Sequence, residues 1–210
     1  MITNLVLASV LAGAVVSLLH AIRVEDRTLE VISKTAASVT FVALGWVRWS
    51  AGDTVGGWLL AGLALCALGD VLLLGKRTFD QGLLAFLLGH VLYILGFCAA
   101  LPVSAWPLAA AVPLVGAAVA AIRWLWPHLG HRRFTVAAYI VVISMMVWGG
   151  FSTWWRQGLP WTAAVGALLF YLSDLAVARH RFVDPAFINR AIGLPLYYVG
   201  QLLIALTIGL

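Results

Sequence analysis

Hydrophobic residues in this chain come in long unbroken runs, not in the spaced stripes of helices that lie half in water. Charge, proline or glycine separates the runs into eight apolar segments at about 2–22, 31–49, 56–74, 82–101, 106–126, 134–151, 160–178 and 191–209. At 1.5 Å rise per residue, each approaches the roughly 20 residues that cross about 30 Å of hydrocarbon. The pattern predicts an all-α polytopic membrane protein, an eight-transmembrane-helix bundle forming a single transmembrane domain over 1–210. Pro107 and Pro113 should delay or bend the fifth segment. The sixth should continue past Phe151 toward Trp154 and Trp155, side chains that suit a membrane interface. No basic stretch precedes the first segment and no small-residue cleavage site follows it, so it reads as a retained helix.

Composition sharpens this picture. The 210 residues are 63% hydrophobic and 10% charged, with a mean hydropathy of +1.03, whereas a soluble domain carries about a quarter charged residues. The pI near 9.7 does not call for nucleic acid, because the basic residues sit in short connections. Arg23, Arg27, Lys76, Arg77, Arg132, Arg133, Arg179, Arg181 and Arg190 fall in odd-numbered connections, with Lys34 and Arg123 beside them at helix ends. That places eleven of the 13 Lys and Arg residues on one side, leaving Arg48 and Arg156 on the other. By the positive-inside rule the rich side is cytoplasmic, and both termini are expected outside a cell membrane. Cys66 and Cys98 lie inside apolar runs and read as small buried hydrophobes, not a disulfide.

Against so much hydrocarbon the polar residues stand out. Asp70 in LCALGDVLLLG and Asp174 in FYLSDLAVA each lie about 6–8 Å inside a segment end. A charge facing lipid there is costly, so both should point into the bundle. Two carboxylates brought to one depth by different helices can share a site in which they do not both ionise freely. His90, in AFLLGHVLY, lies deeper, with Tyr93 three residues on along the same face. Asn189, Gly193, Tyr197 and Gln201 recur at four-residue steps, a polar stripe that either bonds helices together or lines a headgroup pocket. Lys34, followed by Thr35 and Ser38, either marks the interface, pairs with one of the acids or holds a phosphate. Ser144 reads as a helix-contact residue, and Gly149–Gly150 as a place for close packing or a bend. No HxxxH, Cys/His cluster or glycine-rich phosphate loop is present in the sequence, so no metal is expected.

An offset of 104 residues relates Asp70 to Asp174, Asp80 to Asp184, Gly89 to Gly193 and Tyr93 to Tyr197. Four segments per unit would make two parallel four-helix repeats that bring both aspartates to the same membrane face.

The ordered set GDVLLLG (69–75), GLLAFLLGHVLY (82–93), GALLFYLSDLAVARHRF (166–182) and YYVGQLLI (197–204) resembles the YhhN-like lysoplasmalogenase family of integral membrane proteins. The resemblance runs from about Lys34 to the C-terminus. It implies an eight-helix enzyme that hydrolyses the vinyl ether bond of lysoplasmalogens, or of a related lysolipid ether, to a fatty aldehyde and a glycerophospho-headgroup. It carries over Asp70, His90, Tyr93, Asp174 and Tyr197 as the functional set. Lys34 carries over less directly, since the family's following proline is here Thr35. On this reading Asp70, Asp174 and His90 are catalytic, while Lys34, Tyr93, Asn189, Tyr197 and Gln201 bind substrate or orient the acids. The partner is a lysophospholipid among membrane lipids, and the scheme needs no cofactor. The residues alone leave an alternative open: intramembrane acids and a histidine also suit a proton-coupled transporter of a small solute or lipid.

Overall fold

Two aspartates start helices in this chain. Asp26 accepts from the Leu29 amide and Asp53 from the Gly56 amide, each satisfying a first-turn N–H that has no partner within the helix. Pro107 and Pro160 stand immediately before two further helices, where a missing N–H costs no helical hydrogen bond. The computed structural model describes residues 2–75, 77–157 and 159–209. Its helices are α1 (Ile2–Arg23), α2 (Arg27–Arg48), α3 (Thr54–Leu72), α4 (Phe79–Ala100), α5 (Leu108–Leu125), α6 (Arg133–Gln157), α7 (Trp161–Ala178) and α8 (Phe187–Thr207). All eight are long and apolar enough to cross a membrane, and the chain is a multi-pass membrane protein. Pro107 delays α5, and Pro113 is carried inside it. The sixth helix runs past Trp154 and Trp155 to Gln157, and a wide π-type turn, Arg179–Val183, prolongs α7.

Six helices close a ring. α2 packs on α3, α3 on α4, α4 on α6, α6 on α7 and α7 on α8, and α8 returns to α2. α1 lies outside against α2 and α8, and α5 lies outside against α6. The ring is filled by Phe41, Tyr93, Phe97, Phe170 and Tyr198, all fully buried. Val16, Leu108, Val112 and Phe134 are each more than half exposed on its outside, an arrangement that lipid tolerates and water does not.

Polar links tie the odd-numbered connections together at one end. Arg27 binds Glu30 and the Leu74 carbonyl, Arg190 binds Glu30, Arg132 binds Asp80, and Arg181 lies over the Phe79 ring. Lys76, counted with this basic end, lies outside the described residues. At the opposite end Arg48 donates to the carbonyls of Leu206 and Ile208, joining the end of α2 to that of α8.

Small residues set how closely the helices approach. In α3–α4 a Cβ at Gly62 would meet Tyr93 and the Gly89 carbonyl, and one at Gly69 would sit 2.8 Å from Phe86. In α7–α8 a Cβ at Gly166 would sit 2.9 Å from the Gly200 carbonyl and 2.9 Å from Ile204. The 104-residue offset maps Gly62 onto Gly166, but it maps Gly89 and Tyr93 onto Gly193 and Tyr197, not onto Gly200 and Ile204. The second pair is therefore shifted by two helical turns relative to the first. Gly149 and Gly150 serve close packing: a side chain there would strike Trp106 and the Ala163 carbonyl, respectively.

Gly166→Ala should lower the thermal midpoint in detergent, because its Cβ meets backbone that cannot rotate away; overpacking of this kind costs about 1–3 kcal/mol. Gly116→Ala on α5, where nothing lies within 4 Å, should leave the midpoint unchanged or raised. Equal midpoints for the two variants would show that the α7–α8 contact yields freely.

Candidate functional site

Asp70 lies in the last turn of α3, 2% exposed, and three groups from two other helices converge on it. Lys34 Nζ of α2 approaches Oδ1 at 3.2 Å. Ser38 of α2 and Tyr197 of α8 each donate a hydroxyl to Oδ2 at 2.7 Å. Of the three roles open to Lys34, the structure shows pairing with an acid. Tyr197 is itself held in place: Gln201 Nε2 donates to its oxygen at 3.2 Å, and Tyr93 donates to Gln201 Oε1 at 2.8 Å. A chain of hydrogen bonds thus runs from Tyr93 in the core through Gln201 and Tyr197 to Asp70, and every polar atom it contains is buried. Such a network fixes geometry when fully satisfied.

Asp174, in α7, is placed differently. Tyr139 of α6 donates to its Oδ2 at 2.8 Å, and His90 Nε2 lies 3.9 Å from the same oxygen, an approach too long for a hydrogen bond. His90 is fully buried and neither ring nitrogen has a partner among the described residues. Its ring stands edge-on to Phe170 and Tyr139, with centroids 4.6 and 5.2 Å away.

Both aspartates line one cavity of about 410 Å³ between α4, α6 and α7, at the end that carries the odd-numbered connections. Its volume is in the range of small-molecule sites. Its wall combines Asp70, Asp174, Tyr139, Tyr197 and Lys34 with an apolar surface that includes Leu83, Leu87, Val136, Ile140 and Ile143. Arg132, Arg181 and Asp80 stand on the same wall.

The structure brings together Asp70, Asp174, Lys34 and Tyr197 as cavity residues. Four other residues of the expected set do not line the cavity. His90 does not line the cavity but packs against the rings of Tyr139 and Phe170, and of the two acids it approaches Asp174 alone. Tyr93 and Gln201 do not line it either; their polar atoms are spent on holding Tyr197. Asn189 lies apart, 5% exposed, where it accepts from Arg179 at 2.7 Å and donates to the Asp184 carbonyl, bracing the α7–α8 connection. The polar stripe of α8 thus serves mainly helix contact: at Gly193, a Cβ would meet Ala176 at 3.1 Å. Ser144 donates to the Ile140 carbonyl of its own helix. Among the described residues no group of three or more His, Cys, Asp and Glu side chains forms a metal-holding cluster. Tyr139 was not anticipated. Its one signal is a phenol alone in the apolar run FTVAAYIVVISMM.

Comparison with known proteins gives a consistent assignment. Residues 29–208 match the YhhN family. The chain is 33% identical over 159 residues to lysoplasmalogenase TMEM86A of Homo sapiens, covering 71% of this chain and 64% of that protein. It is 32% identical over 163 residues to lysoplasmalogenase TMEM86B of Sus scrofa, covering 74% and 66%. The matched region thus spans a little under two thirds of these relatives' length. No solved structure matches.

Lys34→Met should destabilise the protein by about 3–5 kcal/mol, since it leaves the Asp70 carboxylate buried without its counter-charge. Adding Asp70→Asn should recover most of that loss, giving strong non-additivity in a double-mutant cycle read by unfolding in detergent. Additive effects would show that the two side chains are not energetically coupled.

Proposed function

Since the chain belongs to the YhhN family, whose relatives above are named lysoplasmalogenases, we propose that it hydrolyses the vinyl ether bond of a lysoplasmalogen or related lysolipid ether. The observation that carries this reading is two carboxylates from α3 and α7, unequal in their partners, on the wall of one largely apolar cavity. A lysolipid needs such a site: an apolar wall for its single chain and polar groups at the bond to be cut.

The chemistry assigns separate tasks to the two acids. A vinyl ether is activated by protonating the carbon β to oxygen. The C=C bond supplies the electron pair, and an oxocarbenium ion forms at the carbon bearing oxygen. Water adds there and loses a proton, giving a hemiacetal that collapses to a fatty aldehyde and the free glycerol hydroxyl. Asp174 is the proton donor in this scheme, because its described partners are the Tyr139 hydroxyl and the more distant His90, with no lysine or arginine beside it. Asp70, matched to Lys34 and fixed by Ser38 and Tyr197, is the carboxylate that stabilises the cation and accepts the proton from water. Tyr139 aims the Asp174 carboxyl, and His90 fills the space behind it. Lys34 therefore acts through Asp70. The end bearing the basic connections faces the cytoplasm, with both termini outside, as the positive-inside rule requires.

Asp174→Asn should reduce aldehyde release by a factor on the order of 10²–10⁴ with an unchanged thermal midpoint, and turnover at the wild-type rate would remove Asp174 from its role. For the wild type, the saturated ether and ester lysolipids should yield no aldehyde and no fatty acid. In D₂O the aldehyde should carry one deuterium on the carbon next to the carbonyl. Its absence would overturn carbon protonation.

A further inference from the structure

The cavity wall carries charge that the reaction scheme does not use. At its mouth Arg132 holds Asp80 through Nε and Nη2 at 3.1–3.3 Å, joining the start of α6 to the start of α4. Among the described residues Arg132 Nη1 makes no hydrogen bond. Arg181, in the turn that prolongs α7, lies over the Phe79 ring with its guanidinium carbon 4.1 Å from the centroid. It has no carboxylate partner among the described residues. Arg132, Arg181, Asp80 and Phe79 all line the cavity that holds Asp70 and Asp174.

Of the other arginines at this end none lines the cavity, and several are committed elsewhere. Arg27 and Arg190 share Glu30, Arg179 is held by Asn189 and Asp184, and Arg133 donates to the Trp126 carbonyl. Lys34 is matched by Asp70. Arg132 and Asp80 offset one another, which leaves Arg181 as the unmatched charge on the wall: one positive charge, facing a cavity. Arg181 is seven residues beyond Asp174, about 10 Å along the helix axis. A group held there lies a few atoms along the same bound molecule from a bond held at the carboxylates.

We propose that Arg181 and Arg132 form a phosphate clamp at the mouth of the cavity. Arg181 presents its guanidinium edge to the phosphate oxygens while its face rests on Phe79. Arg132, fixed by Asp80, adds Nη1. Guanidinium groups suit this task because their planar fork pairs with two oxygens of one phosphate. The clamp rests on the reading that the substrate is a lysophospholipid, and it names the residues that would distinguish a phosphate-bearing lipid from a neutral one.

The test uses the purified full-length protein with two vinyl ethers of equal chain length, one bearing phosphoethanolamine on the glycerol and one bearing none. Arg181→Gln and Arg132→Gln should each lower the kcat/KM preference for the phosphate-bearing substrate by roughly tenfold, chiefly through KM. Arg181→Lys should fall between wild type and Arg181→Gln. Arg123→Gln, which removes an exposed charge of α5 away from the cavity, should leave the preference unchanged. A preference unaltered by both glutamine variants would overturn the clamp, as would an equal loss in Arg123→Gln. Binding of the uncleavable saturated-ether lysolipid, followed by tryptophan fluorescence, tests the clamp without turnover. Weaker binding in Arg181→Gln supports the clamp even where no aldehyde forms, an outcome that would sink the hydrolase reading alone. Inorganic phosphate that binds alone as tightly as the lipid would make this a free-anion site and overturn a headgroup clamp.

Discussion

An ionised carboxylate surrounded by apolar helices is stable only when its charge is matched and its oxygens are satisfied. Asp70 sets that constraint here. Its counter-charge comes from α2, one hydroxyl from α2 and another from α8, so α2, α3 and α8 are held to one arrangement at the basic end of the ring. The hydrogen bonds behind Tyr197 extend the constraint through α8 to Tyr93 on α4. Moving any one of these helices by a turn would leave a buried polar atom without its partner. The same bonds that hold the ring together aim Asp70 into the cavity.

Asp174 has no comparable set of partners, and the difference between the two acids is what gives the site chemical direction. Two carboxylates with identical surroundings would compete for the same proton. Here one is paired with a lysine, and the other meets a phenol and, at longer range, an imidazole whose nitrogens have no partner among the described residues. The cavity therefore presents one carboxylate matched by a lysine and one acid with no lysine or arginine partner among the described residues, on a wall that is otherwise mostly hydrocarbon. In the proposed scheme these polar groups are what receive water in such a cavity, which limits the addition step to the end of the substrate that carries oxygen.

Much of this was legible in the chain. Unbroken apolar runs place eight helices because the bilayer fixes their length, and an aspartate within such a run must face inward whatever its neighbours are. Asp70 and Asp174 met both conditions, and Lys34 was readable as a partner for one of them. Depth relative to the cavity was not readable. His90, Tyr93 and Gln201 are polar and inward, yet whether an inward side chain touches open space or lies one layer behind depends on ring packing that no periodicity encodes. Asn189 continued a four-residue stripe but sits at the start of α8, where the nearest backbone belongs to a connection, not a cavity. Tyr139 had no partner pattern at all, since one phenol in an apolar helix is equally a core residue until α7 is placed against it. The rim arginines looked like topology signals, and only their place on the cavity wall distinguishes Arg132 and Arg181 from the rest.

The unequal acids also bear on the relation between the two halves of the chain. An offset of 104 residues matches Asp70 with Asp174 and Tyr93 with Tyr197, which would make the two sites copies of each other. The helix pairs do not repeat in that register. Gly62 faces Gly89 and Tyr93, whereas Gly166 faces Gly200 and Ile204, each seven residues beyond the counterpart that the offset requires. Two turns amount to about 10 Å, a displacement of α8 along α7 toward the basic end. Tyr197 is carried with it to the level of Asp70, while Tyr93 stays in the core and reaches Asp70 only through Gln201 and Tyr197. A strict repeat would leave both tyrosines deep and both aspartates without a phenol from that position. Sliding α8 along α7 by two turns supplies Asp70 with the hydroxyl that completes its charged site and leaves Asp174 to take its hydroxyl from α6 instead.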